Sequence, residues 1–211
     1  MFECQACPQR FGFEAGEGGR YLKFPPTIGA RGRADLLFVG INPRLSGNRP
    51  WLERLMRDRR EFRTLAENRW DGQAYIGAGG WERHYDVHAR IVQDLYGADA
   101  VFEDHAAVSE LFFCATVNTM GGFPVSGSDC ADEYLGDVLE QVQPKAIVCL
   151  GQRVLRYMQS RFGGAYQHFF RTPGGTLVAF VPHPADNVTP DGREVAVRAA
   201  VGEIRGAVGR N

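Results

Sequence analysis

Four short apolar runs, at 35–39, 111–117, 146–150 and 176–181, each have the length of a buried strand and end in turn-forming or polar residues. The segments between them carry apolar residues at helical spacing: 51–67, 81–95, 131–142 and 152–162, with 193–208 closing the chain. Near-continuous apolar strands imply burial on both faces, and parallel strands need crossovers of a dozen or more residues, usually helices. The alternation therefore predicts an α/β fold: a three-layer α/β/α sandwich around a central, mostly parallel four-stranded sheet. The 211 residues fit a single domain with a substantial core. Residues 1–34, rich in Gly and Pro from position 8, read as a wrapping N-terminal arm, and 48–70 as a helical insertion. The chain has no internal repeat or low-complexity segment.

Two of the runs end in loops suited to chemistry. The run 35–39 passes directly into Gly40-Ile41-Asn42-Pro43, delivering a side-chain amide into a tight turn. The run 176–181 passes into Pro182-His183-Pro184-Ala185-Asp186-Asn187. In open parallel sheets ligands collect outside the carboxyl ends of the strands, where such loops converge. Prolines on both sides of His183 fix the backbone and hold the imidazole still. Taken alone, His183 reads as a solvated residue in a Pro-rich turn, and Asn42 as a cap on the turn that follows it. Taken together, the loops read as one two-loop site.

Composition narrows the chemistry. The formal net charge is −1, so no overall basic imprint points to nucleic acid, although a local patch is enough for phosphate binding. Only Lys23 and Lys145 among the 24 basic residues are lysines, which argues against Schiff-base chemistry and coupled strand cleavage. No stretch has the apolar length of a membrane span, and the first 20 residues contain acids and lack an apolar signal core. The expectation is a cytoplasmic protein without disulfides.

The segment Leu37-Phe38-Val39-Gly40-Ile41-Asn42-Pro43 resembles the first motif of the uracil-DNA glycosylase superfamily, and is closest in letters to its mismatch-specific thymine/uracil branch. His183-Pro184-Ala185-Asp186-Asn187 is similar to the second motif, in which a His-Pro pair precedes a short loop that enters DNA. Gln143-Pro144-Lys145-Ala146-Ile147-Val148-Cys149-Leu150-Gly151 resembles the strand ending in Leu-Gly of the iron–sulfur branch. Ala74-Tyr75-Ile76-Gly77-Ala78-Gly79-Gly80 is similar to that branch's aromatic-bearing loop, and Cys4-Gln5-Ala6-Cys7-Pro8 has a counterpart at its N-terminus. The chain departs from the pattern at Arg44, where a Gly is usual, and at Ala185-Asp186, where a Ser-Pro pair is usual.

This resemblance implies a monofunctional DNA glycosylase of base excision repair, a monomer that removes uracil or another deaminated base by hydrolysis. It assigns His183 to donate a hydrogen bond to the departing base as negative charge builds there, and Asn42 to hold the attacking water. Because duplex DNA hides the glycosidic bond, the nucleotide must be flipped out. Tyr75 matches the aromatic that stacks on the extruded base, though it equally reads as a core or rim tyrosine. Backbone groups around Gly40 and Ile41 would read the base, together with Asn118 at the end of the 111–117 run. Arg44, Asn187 and Val188 would contact DNA, with Val188 filling the vacated space. Two other readings remain open: a catalytically weak or covalently trapping binder of uracil-containing DNA, and a small-molecule nucleoside hydrolase.

Cys4 and Cys7 form a Cys-x-x-Cys pair, and Cys114 with Cys130, spaced as in the iron–sulfur branch, could complete the thiolates of a [4Fe–4S] cluster. Zinc or no metal are alternatives, since Cys114 within an apolar run also reads as inert core, as does Cys149. His84 and His88 are spaced i, i+4 on a predicted helix, without the Glu of a metalloprotease motif, and read as a solvated or capped pair. The arginines of 49–63 read as a solvated helix face or a DNA-backbone patch.

Overall fold

The computed structural model describes residues 28–29, 32–41, 82–111, 129–183 and 188–209. In chain order the elements are β1 (Ile28–Gly29), β2 (Leu36–Gly40), α1 (Glu82–Tyr96), α2 (Phe102–His105), β3 (Ala106–Glu110) and α3 (Asp129–Val142). These are followed by β4 (Ala146–Leu150), α4 (Gln152–Phe162), β5 (Phe169–Arg171), β6 (Leu177–Val181) and α5 (Pro190–Val208). The chain is an α/β protein with one mostly parallel sheet, in the order β1-β3-β2-β4-β6-β5.

The sheet differs from expectation in strand count. Its four inner strands, β3, β2, β4 and β6, are parallel, but two short antiparallel strands extend it to six. One of them, β1, comes from the predicted N-terminal arm, pairing Ile28 with Val108 and Gly29 with Ala107. A two-residue strand has too little pattern to be read from sequence. The other, β5, folds back on β6 through the turn at 172–175, where Gly175 takes a φ of 86°.

The second parallel strand is also displaced from its expected position. It runs over Ala106–Glu110 instead of 111–117, and Leu111 already lies in a bend. Ala-Ala-Val-Ser-Glu has little hydropathy and was outcompeted in the sequence by Leu-Phe-Phe-Cys-Ala-Thr-Val. Tertiary pairing decided otherwise: Leu36 to Gly40 lie opposite Ala106 to Glu110 without a break. Ala106, Ala107, Val108 and Ser109 are all buried. The predicted helices fare better, with 152–162 observed as α4 and the others within a few residues of α1, α3 and α5. The predicted 51–67 helix and 48–70 insertion lie outside the described residues.

Every residue of β2 and β4 is buried, which is why these strands appear in the sequence as unbroken apolar runs. Leu36 and Phe38, with Val148 and Val181, pack against Ile91 of α1 and Ile204 of α5. Leu37 and Val39, with Ile147, pack on the other face against Leu135 of α3 and Leu155 and Met158 of α4. Each such side chain contributes roughly 1.5–3 kcal/mol of transfer free energy, so the two faces together fix the strand register. Cys149 is wholly buried in the second cluster, as the sequence implied, and burial pushes its thiol pKa upward.

The helix ends follow local rules. Thr189 caps α5 by accepting from the Gly192 amide at 3.2 Å, with Pro190 in the first turn and Gly209 closing the helix at φ 75°. Among the described residues no helix is long and apolar enough to cross a membrane.

Candidate functional site

The parallel strands deliver their carboxyl ends to one edge of the sheet. Gly40 at the end of β2 lies opposite Glu110 at the end of β3, and Leu150 at the end of β4 lies opposite Val181 at the end of β6. Ile41, Leu111, Gly151 and Pro182-His183 are thus the first residues past this line. β2 and β6 are separated only by β4. At about 4.8 Å per strand spacing, their ends stand roughly 10 Å apart, enough for a planar ring between the loops. The order of the parallel strands places β2 and β4 side by side where successive connections diverge in opposite directions, the usual position of a ligand crevice.

Two backbone hydrogen bonds tie this edge together. The Leu111 amide donates to the Gly40 carbonyl, and the Gly151 amide to the Val181 carbonyl, each at 2.9 Å. Gly151 turns the chain from β4 into α4 with φ 91° and ψ 157°, a conformation that strains any residue with a Cβ. That turn directs the N-terminus of α4 toward the edge. Arg153 in the first turn of α4 has a buried Nη1 atom with no hydrogen-bond partner among the described residues. An unsatisfied guanidinium nitrogen beside a helix N-terminus suits an anionic group.

Of the predicted site residues, Gly40, Ile41, Cys130, His183 and Val188 fall within the described structure. Gly40 and Ile41 end β2, with Ile41 packed on the α3/α4 side of the core. His183 lies two residues beyond β6 and is half-buried. Val188 is 37 % exposed immediately before the cap of α5, so its side chain is available to a partner. Cys130 lies in the first turn of α3. Asn42, Arg44, Tyr75, Asn187, Cys4, Cys7 and Cys114 lie outside the described residues. So does Asn118; the strand expected at 111–117 is observed over Ala106–Glu110.

Glu110 is the residue that sequence reasoning passed over. Its alternation with Ala106 and Val108 puts it on the α1/α5 side of the sheet. Its carboxyl group lies against the bare Cα of Gly40: a Cβ built there would sit 2.8 Å from the carboxyl carbon and 2.9 Å from Oε1. The Oε2 atom is buried and has no hydrogen-bond partner among the described residues. Burial raises the carboxyl pKa from its ordinary 4.5 to about 8, so the group is largely protonated at neutral pH. The available signal was an acid closing an otherwise small and apolar run.

His88, expected to be solvated or capped, is 1 % exposed and makes an edge-on contact with Phe38 at 4.5 Å between ring centroids. It is a core histidine of α1. The amphipathic spacing that includes Val87 and Ile91 extends through it, which places it on the buried stripe.

Compared with models of known protein families and with curated proteins, the chain matches none.

Proposed function

We propose that this chain is a monofunctional DNA glycosylase that hydrolyses the N-glycosidic bond of uracil, or of another deaminated base, in DNA. The observation that carries this reading is that the Gly40-Ile41 turn and His183 emerge at the same edge of one parallel sheet, on strands separated only by β4. A three-layer α/β/α arrangement belongs to the same reading, supported by helices packed on both faces.

Cleavage leaves positive charge on the sugar and negative charge on the base. His183, held by the prolines at 182 and 184, donates a hydrogen bond to the base oxygen that gains charge. Asn42 follows Ile41 directly and orients the attacking water through its side-chain carbonyl. Tyr75 stacks on the flipped base, and Arg44, Asn187 and Val188 hold the DNA around it. Arg153 adds a cation at the α4 N-terminus for a backbone phosphate. Cys4, Cys7, Cys114 and Cys130 are assigned to a [4Fe–4S] cluster with a structural role, and no chemical step depends on it. The protein works as a cytoplasmic monomer.

The test is base release from single- and double-stranded oligonucleotides carrying uracil, hypoxanthine or xanthine. Wild type releases at least one of these bases, and His183→Ala lowers the rate by about 100- to 1,000-fold, the usual effect of deleting one such donor. Asn42→Ala lowers it as well. Absence of release from every substrate would defeat the proposal.

A further inference from the structure

We propose that Glu110 reads the hydrogen-bonding edge of the bound base, its carboxyl group presenting one donor and one acceptor to an adjacent N–H and C=O. This inference rests on the glycosylase reading and names a recognition group for it among the described residues.

The first argument is position. Glu110 is the last residue of β3, directly opposite Gly40, and so shares the strand-end line from which Ile41 and His183 leave the sheet. The second is that its Oε2 atom is buried with no hydrogen-bond partner among the described residues. A carboxyl whose Oε2 is buried without a hydrogen-bond partner is destabilising unless something else satisfies it, and at a strand end a bound molecule can supply that partner. The residue as a whole stays partly exposed, so it lies at the rim of the core, within reach of a molecule held there. The third is Gly40, the one residue type that lets the carboxyl lie flat against the neighbouring strand.

Chemistry then selects the ligand class. A neutral carboxylic acid has an O–H donor beside a carbonyl acceptor. Uracil, hypoxanthine and xanthine all carry an N–H next to a C=O, which pairs with this arrangement through two hydrogen bonds. The ionised form has only acceptors and would face the base carbonyl with like partial charge. The described strands beside Glu110 contribute no charged group: β1 supplies Ile28 and Gly29, and β2 the run Leu36–Gly40. On the helices covering this face, Arg90 of α1 is held by Glu194 of α5 at 2.6 Å, Arg198 lies 3.4 Å from Glu194, Arg193 in the first turn of α5 has a buried Nε, and His88 contacts Phe38. Among the described residues burial alone sets the protonation of Glu110, which therefore loses its proton only near pH 8.

The experiment measures binding of the full-length protein to a DNA strand carrying 2′-fluoro-2′-deoxyuridine, and to the same strand with the base methylated at N3, for wild type, Glu110→Ala and Glu110→Gln. Wild type loses about 10- to 100-fold in affinity on methylation, the size of one or two hydrogen bonds. Glu110→Ala binds the unmethylated base more weakly by a similar factor and no longer responds to methylation. Glu110→Gln, whose amide keeps a donor beside an acceptor, restores most of the affinity. Its binding stays level between pH 6 and pH 9, while that of wild type falls above pH 8. Equal methylation sensitivity in wild type and Glu110→Ala would overturn the inference and leave the glycosylase reading intact. So would a Glu110→Gln variant that binds normally but releases no base from uracil DNA, since Glu110 would then be a water-activating base. A wild type that prefers none of uracil, hypoxanthine and xanthine over undamaged DNA, and releases none of them, would overturn both.

Discussion

The sheet carries an acid at each of its two edges, and they are treated in opposite ways. At the amino edge, Asp35 precedes β2 and is fully engaged: Lys145 Nζ lies 2.8 Å from Oδ1, and the Tyr96 hydroxyl donates to Oδ2 at 2.8 Å. The Asp35 carbonyl also accepts from the amides of Lys145 and Ala146, and the Tyr96 ring stacks on His105 at 3.8 Å. Burial alone would raise the Asp35 pKa, but the Lys145 ammonium and the Tyr96 hydroxyl together bring it below its ordinary 3.8. At the carboxyl edge, Glu110 has an oxygen without a hydrogen-bond partner among the described residues, and burial raises its pKa to about 8. The contrast separates an acid that joins elements of the fold from one whose burial costs the fold stability at the end of its strand.

Proton linkage gives the largest expected effect. The folded Glu110 carboxyl keeps its proton up to about pH 8 while the unfolded one loses it near 4.5, so the folded state binds more protons between those values. Stability therefore falls as pH rises through that window and levels off above it. Glu110→Gln removes the slope: chemical denaturation finds it equal to wild type near pH 4 and more stable at pH 8, by on the order of a few kcal/mol. A wild-type slope that survives in Glu110→Gln would place its source elsewhere.

A smaller effect tests how tightly the carboxyl edge is packed. Gly40→Ala puts a methyl 2.8 Å from the Glu110 carboxyl carbon, so the side chain must move. The expected cost is about 1–3 kcal/mol, the usual penalty of overpacking. Combined with Glu110→Ala, most of that cost disappears, because the two sites are in contact. Additive losses in the double variant would show that the close approach does not matter.

The smallest effect belongs to the amino edge. Asp35→Asn keeps the shape but weakens the contact with Lys145, both side chains being partly solvated, and costs about 1 kcal/mol at neutral pH. The folded pKa of Asp35 is depressed, so its contribution is present above about 3.8 and is lost as pH falls through the folded value. The two acids thus bend the stability curve in opposite directions in separate pH windows. Denaturation midpoints between pH 2 and pH 5 check this: wild type and Asp35→Asn converge at the acid end.

Three of the four parallel strands and the helices α1, α3, α4 and α5 could be read directly from the sequence, because burial on both faces writes a continuous apolar run and burial on one face writes a helical stripe. The turn after β2 and the His183 loop after β6 could be read for the same reason, since each sits on a strong strand signal. β3 could not. Its Ala106-Ala107-Val108-Ser109-Glu110 is quiet in hydropathy, and the louder segment after it drew the strand five residues downstream, taking Asn118 into the site and leaving Glu110 out. His88 went astray differently: a polar letter on a helix was read as solvated, although its spacing from Ile91 and Leu95 put it on the buried stripe.

By itself, then, the sequence determined the alternation of strands and helices, the two strand-end loops and the near absence of lysine, all properties of local pattern and composition. Tertiary structure decided which segment pairs with β2, and with it which acid stands opposite Gly40. Register is a contest between segments distant in the chain, settled by how their side chains fill both faces of the sheet, and no local window of sequence contains that information.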